Sequence, residues 1–449
     1  MASQKKVDMT TGPIMKNIFI FALPIVISNV LQQLYTTVDT LVIGNFCGKT
    51  SLAAVGTSAQ PVEVLLCIFM GIGGSLSILT SQYVGARDSL SIKRTCRTGI
   101  SFTYLVGIPL SILGVLLAPT ILEFMGVPED TMEIAVTYTS ILFAGTLANI
   151  GFNMNAGILR GLGDSRASLL FLIISCITNI VFDLLLVPGL SMGAKGAALS
   201  TVFAQVVAWI ASVIYIKKRF PEIGFTFLPK ECDFETLKKI VTFGLPLGLD
   251  SSLFSLGHLF MQTMVNAQGS VFMAGASIAG RISGIAAVAV TAMSQASSTY
   301  SGQNYGAGNV ERLRQGYIKI PLVSGTITLV AGLLFMTIRM PILRLFNSDE
   351  MVLYYASRYV VVQLLSQWMY AVYNSIINII NGTGQLKFSL VVNLTMLWVV
   401  RIPSAYLIMR FYDGTWIMLS VAISFLYGMI AMVSYYMFSK KWKKILGYS

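Results

Sequence analysis

Four carboxylates stand well inside long apolar runs of this chain: Asp39, Glu63, Asp183 and Asp250. An ionised carboxylate facing hydrocarbon costs about 2.5 to 3.5 kcal/mol, so each needs a cavity, a partner or a proton. Asp39 and Asp183 lie five positions before Gly44 and Pro188, in helices expected to run in the same direction, and at about 1.5 Å per residue they reach similar depth. The two can therefore meet. Asn179 precedes Asp183 by four residues and shares its face, and Thr201 lies about one and a half turns down the next helix from the same surface. Two acids ringed by carboxamide and hydroxyl oxygens suit a sodium ion or a transported proton. Oxygen ligands replace water around a hard cation, and neighbouring carboxylates repel until one is neutralised. Asn149, Asn153 and Asn155 on a further helix could add an oxygen, with Asn149 and Asn153 on one face. The plainer alternative is that these groups only tie helices together, but carboxamides alone would do that at lower cost than two acids.

Other residues point to supporting roles. Asp250 and His258, the only histidine, lie on one later helix about two turns apart and form a candidate second titrating site, since an imidazole changes charge near neutral pH. Glu63 and Arg281 occupy nearly corresponding places in the two halves and could pair. Pro24 kinks the first helix, where a missing amide and a ring clash bend the backbone, and could act as a hinge; Pro246 holds the matching place in the second half. Gln32, Tyr35, Met261, Tyr300, Tyr373 and Asn374 lie on helices that would line a cleft. Methionine and aromatic side chains adapt to varied apolar cations.

The elements that must position these residues are membrane helices. With 55% hydrophobic and 11% charged residues and a mean hydropathy of +0.74, the chain lacks the polar surface a soluble protein of 449 residues would need. Twelve apolar runs, beginning with 14–43 and 51–82 and ending with 415–438, are each long enough to cross a bilayer. They must be helices, because isolated strands would leave backbone groups unpaired in lipid. The expected fold is an all-α integral membrane protein of twelve transmembrane helices in two pseudo-symmetric six-helix bundles. The two halves repeat: Ser81-Gln82-Tyr83-Val84-Gly85-Ala86 returns as Gly302-Gln303-Asn304-Tyr305-Gly306-Ala307, and Gly161 returns as Gly382, both 221 residues on. Such duplicated halves meet around midplane sites in transporters. The expected organisation is an N-terminal lobe over 1–220, a cytoplasmic linker over 221–235 and a C-terminal lobe over 236–449.

The formal net charge of +12 does not indicate a nucleic-acid partner, because 23 of the 31 basic residues fall on the side that holds both termini. That bias places a multi-pass protein in the cell membrane with its N- and C-termini cytoplasmic. Its five cysteines show neither metal spacing nor a disulfide framework. No Walker loop or HExxH motif occurs, so neither ATP nor another cofactor is expected beyond the coupling ion, and the chain does not read as an enzyme. Small-residue spacing at Gly280 and Gly284, and again at Gly302 and Gly306, suggests close helix contact. A monomer is the default.

Gly12-Pro13, Phe21-Ala22-Leu23-Pro24, Gln32-Gln33-Leu34-Tyr35, Val38-Asp39-Thr40, Leu52-Ala53-Ala54-Val55-Gly56, Gly85-Ala86, Gly306-Ala307 and Leu159-Arg160-Gly161-Leu162-Gly163-Asp164 together resemble the multidrug and toxic compound extrusion (MATE) family. The resemblance runs from about Gly12 to Ser439. It implies two six-helix lobes around a V-shaped central cavity and export of organic cations or other amphiphiles in exchange for sodium ions or protons. Asp39, Asn179, Asp183 and Thr201 match the family branch with a coupling site in the N-terminal lobe, with Asn153 the choice on the fourth helix and Pro24 the matching proline. Another branch carries an acid eight residues after the proline of helix 7 and a second on helix 10. This chain has Phe254 at the first position and no helix 10 acid, which puts such a site in doubt, although Asp250 lies one turn earlier. Rival readings are a flippase for a lipid-linked precursor from the same superfamily and, from another class, a membrane-embedded enzyme, which would need a convergent catalytic set.

Overall fold

The structure is a computed structural model that describes residues 7–447; within the second helix the side chains at 49, 50, 53, 57–66, 68 and 69 lie outside the described residues. Glu63 is one of these, so its suggested pairing with Arg281 lies outside them too. No strand occurs among the described residues. The long helices are α1 (Ile14–Phe46), α2 (Gly48–Gly85), α3 (Ser89–Phe124), α4 (Glu129–Ala144 and Thr146–Gly161), α5 (Ser165–Gly189), α6 (Gly193–Arg219), α7 (Phe234–Asn266), α8 (Ser270–Gly306), α9 (Val310–Arg344), α10 (Glu350–Gly382), α11 (Leu386–Phe411) and α12 (Gly414–Phe438). Among the described residues nine are long and apolar enough to cross a membrane, and α4, bent by 46°, makes ten. The remaining long helices, α2 and α10, bring the number to the twelve that the sequence predicts. A short basic helix, α13 (Lys440–Ile445), follows.

The internal repeat is visible in backbone geometry. Gly48 and Gly269, 221 residues apart, have φ of 77° and 93°, and Gly163 and Gly384, at the same separation, have φ of 88° and 89°. These left-handed turns suit glycine, which has no Cβ to clash. The entries to α3 and α9 match as well: Asp88 accepts from the Ser91 amide at 3.0 Å and Asn309 from the Arg312 amide at 3.4 Å, each satisfying one free amide of a first turn. The Ser91 hydroxyl and amide hold the Asp88 carboxyl below the usual carboxylate range. Asp88→Ala is expected to cost about 1 kcal/mol of stability. Because the folded pKa is depressed, the carboxylate's contribution is complete above the unfolded value and fades as pH falls through the folded one. Thermal unfolding of wild type and variant at neutral and acid pH should therefore converge in acid.

Two compact units divide the chain. Among the described residues the N-terminal unit comprises Val7 and 23–249, and the C-terminal unit 8–22 and 250–447. The sequence places the join at 221–235; the units instead change over beside Pro24 in α1 and a turn after Pro246 in α7. The reason is packing. Residues 8–22 are held in the C-terminal unit by Gln303, which accepts from the Met9 amide at 2.9 Å, by Asn304, which donates to the Met9 carbonyl at 3.0 Å, and by Arg312, which donates to the Gly12 carbonyl at 2.9 Å. The start of α7 lies so close to α2 that a Cβ on Gly71 would strike the Gly248 backbone. The linker is pinned rather than loose. Arg97 pairs with Glu231 at 2.5 Å, Tyr104 donates to the Phe227 carbonyl at 3.1 Å, and Phe225 is buried.

The two small-residue spacings divide: Gly302 of α8 lies at a close contact, where a Cβ on Gly382 of α10 would strike the Ser301 hydroxyl, the Ser298 carbonyl and the Gly302 amide, whereas Gly280 and Gly284 make none. Gly280 and Gly284 face open space, with nothing within 4 Å of a notional Cβ. Another tight contact joins α2 and α4, where Gly157 lies against the Gly73 carbonyl and Gly161 against the Ser77 carbonyl. Spacing alone says which residues share a face; it does not say what that face meets.

Candidate functional site

In the N-terminal unit, α1 carries Asp39 and α5 carries Asn179 and Asp183. Pro188 has no amide to donate, so the last turn of α5 widens into a π-turn over Leu185–Gly189, closed by the Leu190 amide on the Leu185 carbonyl at 2.9 Å. Asp183 lies just before this turn. Ala194, Ala197 and Ala198 on α6, with Val42, Ile43, Tyr138 and Val187, form the apolar packing around the site.

Asn179 and Asp183 are fully buried and Asp39 is half-buried. The carboxyl groups of Asp39 and Asp183 are close enough to interact directly. Even so, Oδ1 of Asp39, both carboxyl oxygens of Asp183 and both polar atoms of the Asn179 side chain are buried with no well-formed hydrogen bond. A buried polar atom left without a partner costs about 1 to 3 kcal/mol, more when charged. Five such atoms on three residues make the site costly unless something fills it. Among the described residues no basic side chain pairs with either acid, and the ion pairs found are Arg97 with Glu231 and Arg314 with Glu311.

The neighbours are neutral oxygens. Tyr35 donates to Thr201 Oγ1 at 3.3 Å, which brings Thr201 beside α1, and both acids act electrostatically on Tyr35 and on Tyr138 of α4. Ser200, fully buried, donates to the Gly196 carbonyl at 2.9 Å and also interacts with Asp183. Sequence reading missed Ser200 and Tyr138. Ser200 is adjacent to Thr201, but a helix turns about 100° per residue, so choosing one draws attention from the other. Asn153 donates its amide to the Asn149 carbonyl and side-chain oxygen at 2.9 and 3.1 Å, and Asn155 donates to Ser212 at 2.8 Å. The structure thus brings Asp39, Asp183, Asn179, Tyr35 and Thr201 together and engages Asn153 along its own helix.

The C-terminal unit separates Asp250 and His258. Asp250 accepts from Asn393 of α11 at 2.5 Å, while His258 packs edge-on to Phe254 with ring centroids 4.8 Å apart. Of the residues expected to line a cleft, Gln32 is exposed, whereas Met261, Tyr300 and Tyr373 are buried. The Tyr300 hydroxyl donates to the Arg312 carbonyl at 2.6 Å, and Asn374 accepts from Asn378 at 2.9 Å. Pro24 lies in α1 a turn before Ser28, whose hydroxyl donates to the Pro24 carbonyl at 2.9 Å.

A family model described as MatE matches residues 24–185 and again 246–407. The chain is 28% identical over 446 residues to the "Probable multidrug resistance protein YpnP" of Bacillus subtilis, a match that covers 98% of each protein. It superimposes with a TM-score of 0.89, at 23% identity and full coverage of both chains, on the outward-facing conformation of a multidrug resistance MATE family transporter of the MOP superfamily. A MATE protein in its bent conformation gives the same TM-score and identity, with 99% of each chain covered.

Proposed function

This chain belongs to the MatE family of multidrug efflux transporters, and we propose that it exports cationic or amphiphilic small molecules in exchange for a sodium ion or a proton taken up at Asp39 and Asp183. The observation that carries this reading is the pair of facing acids beside Asn179, with buried oxygens that lack hydrogen bonds. A monovalent cation fits that set. It would be met by two carboxylates and by the neutral oxygens of Asn179, Ser200 and Thr201, while the apolar packing of Val42, Ile43 and Val187 keeps out bulk water. When the site is empty of positive charge the carboxylates repel one another; neutralisation lets them close.

That difference can be passed to α1. Residues 14–22 of this helix belong to the C-terminal unit and the remainder to the N-terminal unit, with Pro24 beside the changeover. A segment carrying Asp39 can therefore repack on α5 by bending at Pro24, where the helical hydrogen-bond ladder is already interrupted. A cation that binds the closed arrangement more tightly shifts the equilibrium toward it. In this reading both termini are cytoplasmic, the cell membrane houses the protein, and the substrate leaves outward as the ion enters.

Purified protein in liposomes loaded with a fluorescent organic cation tests the scheme, with sodium and pH gradients imposed separately. Efflux that follows one of the two gradients, and stops when that gradient is collapsed by an ionophore, is the expected outcome. Export that ignores both gradients would defeat the proposal.

A further inference from the structure

The C-terminal unit contains a fixed charge of the opposite sign. Arg401 is 3% exposed and lies near the middle of α11, at the end of a π-helical stretch, Thr395–Arg401. An ionisable side chain at this depth marks a functional site by default. The repeat makes its position telling: 221 residues before Arg401 stands Ile180, between Asn179 and Asp183. The stretch that carries the acids in one half carries a guanidinium in the other.

That guanidinium is incompletely matched. Its Nε donates to Ser424 at 2.8 Å and its Cζ lies 5.1 Å from the centroid of the Phe425 ring, but Nη2 is buried with no hydrogen-bond acceptor. Among the described residues no carboxylate forms an ion pair with it, since the pairs found are elsewhere and Asp250 is engaged by Asn393. The Phe425 ring packs on Tyr370 with centroids 4.9 Å apart, and Tyr370 on Tyr373 at 6.3 Å, so the guanidinium and Tyr373 belong to one aromatic cluster. The hydroxyl of Tyr373, also buried, has no partner either. Two unused donors, one of them positively charged, thus lie in one cluster of aromatic rings. Removing a charge from water costs several kcal/mol unless it is paired. Tyr370 is half-buried, so the cluster is not sealed.

We propose that α10, α11 and α12 of the C-terminal unit form a site for a monovalent anion, held by Nη2 of Arg401 and the Tyr373 hydroxyl. Nε is already committed to Ser424, so the free edge suits a single acceptor: a halide or one oxygen of a carboxylate. The aromatic walls favour a carboxylate on an apolar body, such as the head of an amphiphilic substrate, over chloride from solution. This site is separate from the cation chemistry at Asp39 and Asp183.

The test uses the purified full chain in detergent and follows its melting temperature as sodium benzoate or sodium chloride is titrated in, with sulfate keeping sodium constant and benzamide as the neutral control. Saturable stabilisation by benzoate, with a midpoint several-fold below that of chloride and no effect of benzamide, is the expected result. If chloride is the tighter ligand, the site is a halide site and the substrate-carboxylate assignment falls. Arg401→Gln and Tyr373→Phe should each shift the benzoate midpoint upward by about tenfold or more, and Arg401→Lys, which keeps the charge, should shift it less than Arg401→Gln. If the glutamine variant fails to fold, Tyr373→Phe and Arg401→Lys carry the comparison. A wild-type protein that shows no saturable response to either anion, or Arg401 and Tyr373 variants that retain the wild-type midpoint, would overturn the proposal.

Discussion

Replacing Asp183 by asparagine is expected to abolish ion-driven efflux while leaving the protein as stable as before or more so, and Asp39→Asn should do the same. The two effects have one origin. Asp183 is fully buried, neither of its oxygens has a well-formed hydrogen bond, and a second acid faces it. An asparagine of the same shape removes a charge that the fold does not satisfy, so melting should hold steady or rise, by about 1 to 3 kcal/mol at most. The same change deletes an ionised ligand worth about 1.5 to 3 kcal/mol to a bound cation, or about ten- to 150-fold in affinity. Efflux from liposomes under an imposed gradient and thermal unfolding of the same preparations check both halves. Variants that melt earlier yet still pump would show that the acids serve only to tie α1 to α5.

A second large effect is structural. Gly157→Val should destabilise the N-terminal unit by about 3 kcal/mol or more, because any Cβ at Gly157 runs into the carbonyl of Gly73 across the contact between α2 and α4. Backbone cannot swing aside as a flexible side chain can, so the helices themselves must part. Gly280→Ala, where a Cβ meets nothing within 4 Å, should stay within about 1 kcal/mol of wild type, with the sign favouring alanine in a helix interior. Melting temperatures of the two variants in detergent give the comparison, and equal losses would refute the assigned contact.

Much of this architecture was legible in the chain. Twelve apolar runs between polar breaks must be helices, because lipid offers no partners for backbone amides, and the 221-residue recurrence of short motifs reappears in the matched φ angles of Gly163 and Gly384. Depth along a helix is also sequence arithmetic, which is why the sequence alone puts Asp39 and Asp183 at one level. Azimuth is not. Which way a membrane helix turns its faces depends on what packs against it, and both lipid and protein neighbours are apolar, so hydrophobic periodicity carries little of that information. Hence the sequence proposes Asn153 for the site, whereas its side chain bonds Asn149 along its own helix and tertiary packing brings in Ser200 and Tyr138.

By itself the sequence determined the helices, the duplication and the two acids at a common depth, since each follows from local composition and a fixed rise per residue. Only the tertiary structure decided that the first residues of α1 belong to the C-terminal unit, that Gly157 rather than Gly280 is where helices touch, and that Arg401 is buried with no acidic partner among the described residues. Those outcomes depend on residues far apart in the chain meeting at particular angles, and no local pattern encodes an angle between helices.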